Sequence, residues 1–586
     1  MNEFRFSPRP NRAAEIGWMP WEPSSFARAR SEDKPILLAI SAVWCHWCHV
    51  MDETTYSDPA VIEAINARFV PIRVDNDRRP DVNARYNMGG WPTTAFLAPD
   101  GALLTGTTYL PAEPMRRALD EIARFYAEKK DEIATHAPPA RRADYRPAPA
   151  ADLREGMIVR LVEQLTENFD DEYGGFGDAP KFPQPEMLEF LLARWRATGE
   201  PRLHAMVAKT MLGMSRGGTY DHVEGGFFRY STTRDWSVPH FEKMAEDHAG
   251  LLRVLAALVV FAPAAEFRAT LASAIAYVRT TLRDPASSLF GGSQDADEAY
   301  FALPLEERRK RAGPFVDRTS YTNWTCALAG AWCAASLALD DDGLLREACE
   351  TLDAVHERLL DPGGLAYHFV APGSAPQVRG LLTDQAAYLR ALLDAHEASG
   401  EARFLERAGA LAARILARFQ AGDGGFYDRI PIEAELGRLD VADRPIVENG
   451  LIAEGLLRLG ALTGDAAYRE PAERTLQLFA HSYAGAGPFA AAYGRALQRY
   501  LAPETNVRLV GTPKSTGALR EAARRLTSPA VTVRTVDPVG AAALDLPPEP
   551  VPAAYACSGS ACGAPARDPA GLRDAYERLA GGPRPA

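Results

Sequence analysis

No stretch of the 586 residues is apolar for long enough to cross a bilayer. The longest candidate, residues 251–265, is interrupted by Arg253 and Pro263 and reads as a buried helix. No block of Lys and Arg is present, and the formal net charge is -12, which argues against nucleic acid and anionic membranes as partners. Met1–Trp18 has no apolar core, so no secretory signal is read there and the expected location is the cytoplasm. Cysteine is scarce: seven residues, at 45, 48, 326, 333, 349, 557 and 562. An odd, uneven set does not make a disulfide framework. In a reducing compartment its closely spaced pairs point to catalysis or metal binding.

What is present fits a folded protein of two or three domains, with 47% hydrophobic and 24% charged residues. Residues 1–136 alternate strand and helix patterns. Residues 35–42 read as a buried strand, 50–69 as helix broken near Asp58-Pro59, and 69–75, 93–98 and 103–109 as further strands. A closing helix at 114–133 carries Met115, Leu119, Ile122 and Tyr126 on one face. Residues 137–151, rich in Pro, Ala and Arg, read as a linker.

Residues 152–503 are almost wholly helical in pattern. Leu188, Leu191, Leu192 and Trp195 form one stripe; Leu389, Leu392, Leu393 and His396 form another. A Gly-Gly loop recurs at 174–175, 225–226, 291–292, 363–364 and 424–425, with a degraded copy at Gly487-Pro488. Each interval has room for two helices, and an acidic residue precedes most copies. Six helical hairpins predict an (α/α)6 toroid with a funnel at one end; an open helical solenoid is the alternative. Residues 504–586 read as a small α/β appendage, with strands at 506–511 and 530–536 around a helix at 515–526.

The sharpest chemical signal is Cys45-His46-Trp47-Cys48, directly after a buried strand and at a predicted helix start. Unpaired N–H groups and the helix dipole favour a thiolate there. Cys45 is the expected nucleophile and Cys48 the resolving thiol. Pro92, in Gly89-Gly90-Trp91-Pro92-Thr93, is placed where thioredoxin-like folds carry a cis-proline that contacts the bound peptide. A metal site at Cys45, His46, Cys48 and His49 is disfavoured, because no second Cys/His cluster follows. No cofactor is read from the sequence.

A second cluster runs from Gly217 to His248 and includes Tyr220, Asp221, His222, Arg229, Tyr230, Trp236, His240, Glu242, Glu246 and Asp247. With Asp295, Asp297 and Asp384, it would surround the funnel of a toroid and form a pocket for a small-molecule or sugar ligand. The competing reading is that these polar loops only cap helices. Cys557 and Cys562 read either as a secondary thiol pair or as simple surface thiols, and Cys326, Cys333 and Cys349 read as buried small hydrophobes.

These residues carry a resemblance that spans nearly the whole chain. The strings Glu32-Asp33-Lys34-Pro35-Ile36, Cys45-His46-Trp47-Cys48-His49-Val50-Met51, Ala179-Pro180-Lys181-Phe182-Pro183, Val238-Pro239-His240-Phe241-Glu242-Lys243-Met244 and Asp295-Ala296-Asp297-Glu298 resemble the thioredoxin-domain family that includes the spermatogenesis-associated protein of animals and its bacterial homologues. The resemblance implies a thioredoxin-like domain fused to a six-hairpin toroid similar to those of sugar epimerases and glycosidases. Four departures from the family's pattern stand out: the stretch between Asp81 and Gly89 is shorter, Thr325 and His248 occupy positions where the family has Asn, and Pro445-Ile446-Val447-Glu448-Asn449 replaces a shorter Pro-Ser-Gly-Asn. The expected activity is thiol–disulfide exchange or redox regulation through Cys45 and Cys48, with a protein disulfide or a reductant as partner. The alternative is a carbohydrate-active or sugar-binding toroid.

Overall fold

A computed structural model describes residues 4–136, 152–431, 436–544, 546, 551–559 and 561–579. The expected linker at 137–151 lies outside the described residues. The chain divides into two compact units. Unit 1 is Met1–Tyr145 together with Gln294–Asp297 and Arg429–Asp443; unit 2 is the remainder.

Unit 1 runs α1 (Pro23–Glu32), β1 (Ile36–Ser41), α2 (His46–Glu53), α3 (Pro59–Arg68), β2 (Val70–Asp75), α4 (Pro80–Tyr86), β3 (Thr93–Leu97), β4 (Leu103–Thr107) and α5 (Ala112–His136). The single broken helix expected at 50–69 is two helices. Asp58 caps α3 by accepting from the N–H groups of Ala60 and Val61, and Pro59 follows at the first helical position. The sheet order is β2-β1-β3-β4, with β1 parallel to β2 and antiparallel to β3. β1 is buried on both faces, as a central strand must be. Ile36, Leu38 and Ile40 face a core with Trp21, Phe26, Tyr86 and Leu439; Leu37 and Ala39 face one with Met51, Tyr56, Ile65 and Phe69. This is a thioredoxin-like sheet with helices on both sides.

In unit 2 the inner helices are α7 (Pro185–Thr198), α9 (Ala245–Phe261), α13 (Thr322–Leu339), α15 (Leu382–Ser399), α17 (Ile446–Thr463) and α19 (Ala491–Leu501). Each packs on the next, and α19 returns to α7, so the ring is closed. Around them lie α6 (Glu155–Glu167), α8 (Pro201–Arg216), α10 (Ala265–Tyr277), α14 (Asp342–Arg358), α16 (Ala402–Phe419) and α18 (Arg469–Phe479). Two short helices, α11 (Glu298–Phe301) and α12 (Leu305–Arg308), occupy the long loop before α13. Burial follows the layer. On outer helix α16 only Phe404, Leu405, Ala408, Leu411, Ala412, Ile415 and Phe419 are buried, a single stripe, whereas inner helix α13 is buried nearly all round. The expected (α/α)6 toroid is therefore what the helix contacts build.

The C-terminal module of unit 2 contains β5 (Thr505–Val510), α20 (Gly517–Arg524), β6 (Val531–Val536), α21 (Pro538–Ala543), β7 (Ala553–Ser558), β8 (Ala561–Cys562) and α22 (Pro569–Leu579). Its sheet order is β6-β5-β7-β8, with β5 parallel to β6 and antiparallel to β7. That is the strand order and direction of unit 1. Cis X-Pro bonds precede the third strand in both sheets, at Trp91-Pro92 and Val551-Pro552. The small appendage is thus a second, abbreviated thioredoxin-like sheet. Gly511-Thr512-Pro513-Lys514-Ser515-Thr516 stands where unit 1 has its cysteine motif.

Arginines of this module bind the C-terminal ends of inner helices. Arg524 and Arg525 donate to the Cys333 and Leu337 carbonyls of α13, Arg520 to Ala398 of α15, and Arg508 and Arg534 to Leu462 of α17. Helix C-termini present unpaired carbonyls and partial negative charge, which such cations satisfy.

Candidate functional sites

In unit 1, β1 delivers the chain to Cys45, the N-cap of α2. The Cys45 sulfur accepts the Cys48 N–H at 3.2 Å, and the two cysteines form a disulfide with Cα atoms 5.2 Å apart. Cys45 is 4% and Cys48 2% exposed, while neighbouring Trp47 is 49% exposed. Behind the motif, Arg5 pairs with Asp295 at 2.8 Å. His49 lies in the field of both: burial lowers its pKa, Asp295 opposing and Arg5 adding to the effect. Deeper still, Arg73 pairs with Asp52 at 2.7 and 3.0 Å. Trp44 donates to Asp77 at 2.6 Å and meets Trp91 edge-on. Pro92, joined to Trp91 by a cis bond, immediately precedes β3.

The residues expected around the toroid funnel separate into four groups. The first holds the Gly-Gly loops in place. Asp221 accepts from Lys243 at 2.8 Å and from Arg308 at 2.7 Å, and Lys243 also donates to the Gly225 carbonyl at 2.8 Å. The same clamp recurs with Asp170, Lys181 and the Gly174 carbonyl (2.6 and 2.9 Å), and with Asp423, Arg444 and the Gly424 carbonyl (2.7 and 2.6 Å). These account for acidic residues before the loops. Burial raises the Asp221 pKa, but Lys243 and Arg308 outweigh it and hold the carboxyl below its ordinary value.

A second, unforeseen layer of the same device lies on the inner helices. His248 accepts the Phe227 N–H at 2.9 Å through Nε2, and its Nδ1 donates to the Met244 carbonyl at 2.6 Å. Asn449 accepts the Phe426 N–H at 2.7 Å and donates to the Pro445 carbonyl at 2.8 Å. Gln385 accepts the Ala366 N–H at 2.9 Å and donates to the Leu381 carbonyl at 3.0 Å. In each case the second partner is the carbonyl four residues back. His248 in place of Asn is therefore a like-for-like structural exchange.

The second group is buried or turned away from any funnel. Trp236 is fully buried beside Gly175, Gly213 and Gly217, and its indole N–H donates to the Tyr173 carbonyl at 3.2 Å. Tyr220 packs edge-on to Phe227, and His222 is exposed, hydrogen-bonded to the Gly217 carbonyl at 3.0 Å. Asp384 is fully buried against His368 (3.0 Å) and the Asn323 N–H (3.2 Å). The third group, Asp295 and Asp297, belongs to unit 1.

The fourth group does converge. His240 Nδ1 lies 2.6 Å from Glu242, and its ring stacks on Tyr230 at 4.8 Å, which in turn stacks on Phe182 at 4.7 Å. A short antiparallel bridge, Tyr230–Ser231 with Pro239–His240, fixes this register. In the first turn of α9, burial pushes Asp247 up to about 7, with Glu246 and Glu242 adding and Arg229 opposing. Burial likewise raises Glu246, although solvent reaches its side chain. Phe182 is not singled out by sequence pattern, and neither is His368, which is the buried partner of Asp384. Their motifs carry no acid–base pattern that would single them out.

Among the described residues, no three His, Cys, Asp or Glu side chains gather as metal ligands, and no helix is long and apolar enough to cross a membrane.

Residues 9–142 match the family described as Thioredox_DsbH, protein of unknown function, DUF255. The chain is 36% identical over 264 residues to rat spermatogenesis-associated protein 20, covering 40% of this chain and 33% of that protein. It is 28% identical to the human protein across 77% of this chain and 74% of that one. The aligned stretch thus spans a third of the rat relative's length. The thiol:disulfide interchange protein DsbD of Pseudomonas fluorescens is 32% identical over 77 residues, 13% of each chain. Among solved structures, cellobiose 2-epimerase from Bacillus thermoamylovorans matches with a TM-score of 0.46 and 14% identity, over 55% of this chain and 85% of that one. Residues 9–142 thus match the Thioredox_DsbH family model, and the chain as a whole is similar to human spermatogenesis-associated protein 20 across 77% of its length.

Proposed function

We propose that this protein is a cytoplasmic thiol–disulfide oxidoreductase acting through Cys45 and Cys48. The observation that carries the reading is the position of Cys45 as N-cap of α2, where backbone N–H groups and the helix dipole stabilise a thiolate. In the reductive direction the Cys45 thiolate attacks one sulfur of a substrate disulfide. A mixed disulfide forms, and the other substrate sulfur leaves as a thiolate. The Cys48 thiolate then attacks the Cys45 sulfur, releasing the second substrate thiol and closing the Cys45–Cys48 disulfide. An external dithiol reductant reopens it. Pro92, immediately before the strand paired with β1, is assigned to substrate contact. The test is reduction of a protein disulfide by the full chain and by Cys45→Ser. Loss of turnover in the variant supports the reading, and equal rates reject it. Cys48→Ser should accumulate a mixed disulfide visible by mass spectrometry.

A second reading concerns unit 2, where His240, Glu242 and Asp247 lie beside the Phe182–Tyr230–His240 stack. A carboxyl whose pKa is pushed up to about 7 can hold or release a proton at neutral pH, and stacked aromatics suit a sugar ring. Calorimetry with a panel of mono- and disaccharides tests it. Saturable binding lost in Asp247→Ala and His240→Ala supports a sugar site; heat signals unchanged by both variants reject it.

A further inference from the structure

A cavity of about 310 Å³ lies between the later turns of the inner helices and the C-terminal module. Its wall carries four carboxylates and seven arginines. The carboxylates are already engaged. Glu189 meets Arg390 at 2.7 Å, Asp394 meets Arg253 and Arg458, Glu397 meets Arg458 at 3.2 Å, and Glu454 meets Arg495 at 3.5 Å. Arg196, Arg499 and Arg524 reach no carboxylate among the described residues. They donate only to the backbone carbonyls of Leu526, Val531 and Cys333. Carbonyls satisfy N–H groups but do not cancel charge.

Several donors remain over. Arg196 Nε, Arg499 Nε and Arg495 Nη2 are buried and have no acceptor within the described protein. Arg495 is charge-paired with Glu186, Glu189 and Glu454 and only its Nη2 is left over, but holding the Arg196, Arg499 and Arg524 guanidinium groups without a carboxylate in a low-dielectric wall is costly unless an anion joins them. Desolvation already pulls the Arg196 pKa down to about 10 and lowers that of Arg499.

We propose that this cavity is a binding site for a small phosphate-bearing anion, held by Arg196, Arg495 and Arg499 with Arg524 contributing charge. Guanidinium groups offer paired donors that match a tetrahedral oxyanion, and the volume admits a phosphate with a small organic group attached. The site is separate from the His240–Asp247 region. Glu246 and Asp247 begin α9, whereas Val260 and Phe261, which line the cavity, end it, about 20 Å further along the axis. A bound anion would tie α7 and α19 to the C-terminal module and stabilise both by mass action.

The experiment uses the full chain, titrated with inorganic phosphate and separately with glycerol 3-phosphate at constant ionic strength, by calorimetry and thermal melting. The expected result is saturable one-site binding, with a melting temperature that rises with ligand concentration. Arg499→Gln should weaken binding about tenfold or more, and exposed Arg309→Gln should leave it unchanged. If Arg499→Gln does not fold, Glu397→Gln serves instead: it removes a negative charge from the same wall and should tighten binding. Preference for glycerol 3-phosphate identifies an organic phosphate, and equal affinity identifies inorganic phosphate as sufficient. Absence of saturable binding overturns the proposal, as does binding that neither Arg499→Gln nor Glu397→Gln alters.

Discussion

Replacing His248 by Asn isolates the linkage between a buried imidazole and the stability of the toroid. His248 is fully buried and works only when neutral, because Nδ1 must donate to Met244 while Nε2 accepts from Phe227. Burial lowers its pKa from 6.5 to about 4, with Lys243 adding and the Met244 carbonyl opposing. The unfolded chain therefore takes up the proton first on acidification. The contribution is fully present above pH 6.5 and drains away as pH falls through 4. From these two values the loss between pH 8 and pH 5 is about 2 kcal/mol. Asn449 makes the same pair of bonds from the same helix position, so His248→Asn should keep the loop anchored and carry no proton linkage. The assay is thermal melting of wild type and variant in matched buffers from pH 8 to pH 5, with hydrogen exchange at the Phe227 amide as the local reporter. His396 and His49 also have lowered pKa values, so the informative quantity is the difference between the two proteins. The wild type should lose stability on acidification faster than the variant. Parallel pH profiles would refute the reasoning.

The loop clamps should outweigh surface ion pairs. Asp170→Ala leaves the fully buried Lys181 ammonium without its carboxylate and should cost about 3–5 kcal/mol in denaturation experiments. Arg202→Ala removes the exposed pair with Asp171 and a long cation–π contact with Phe169, and should stay within about 1 kcal/mol. Asp247 behaves oppositely to His248. Its raised pKa means stability is greatest below its ordinary carboxylate range and falls as pH rises through about 7, so Asp247→Asn should melt higher than wild type at pH 8 and show no advantage at pH 4. Cys326, Cys333 and Cys349 are buried thiols with raised pKa values, and should resist alkylation in the native oxidised protein and label fully in urea. Rapid native labelling of any of the three would contradict their placement.

Some of this was legible because it is local. A strand followed by Cys45-His46-Trp47-Cys48 is a short-range pattern, and the dipole argument needs only the helix that follows. The hairpin count came from glycine loops, whose positive φ at Gly174, Gly175, Gly225 and Gly226 few other residues tolerate. The single stripes of outer helices such as α16 were equally visible. Pocket membership was not. Asp221, Trp236 and His240 lie within twenty positions of one another, yet one is a clamp, one is core and one pairs with Glu242 and stacks on Tyr230. Only long-range packing separates those fates. Nor does local pattern reveal that Gln294–Asp297 and Arg429–Asp443 fold with unit 1, or that Leu439 packs beside Trp21.

The sequence alone determined that a cysteine pair sits at a helix start and that glycine-marked helical hairpins dominate the longer part of the chain. Tertiary structure decided that the ring closes, that the tail repeats a thioredoxin-like sheet without its cysteine motif, and that Cys557 and Cys562 face each other as a cross-strand disulfide. It also gathered arginines from α7, α19 and α20 around one cavity. The reason is the same throughout. Helix starts and turns are set by a few adjacent residues, whereas burial, pKa and charge compensation depend on partners tens or hundreds of positions away.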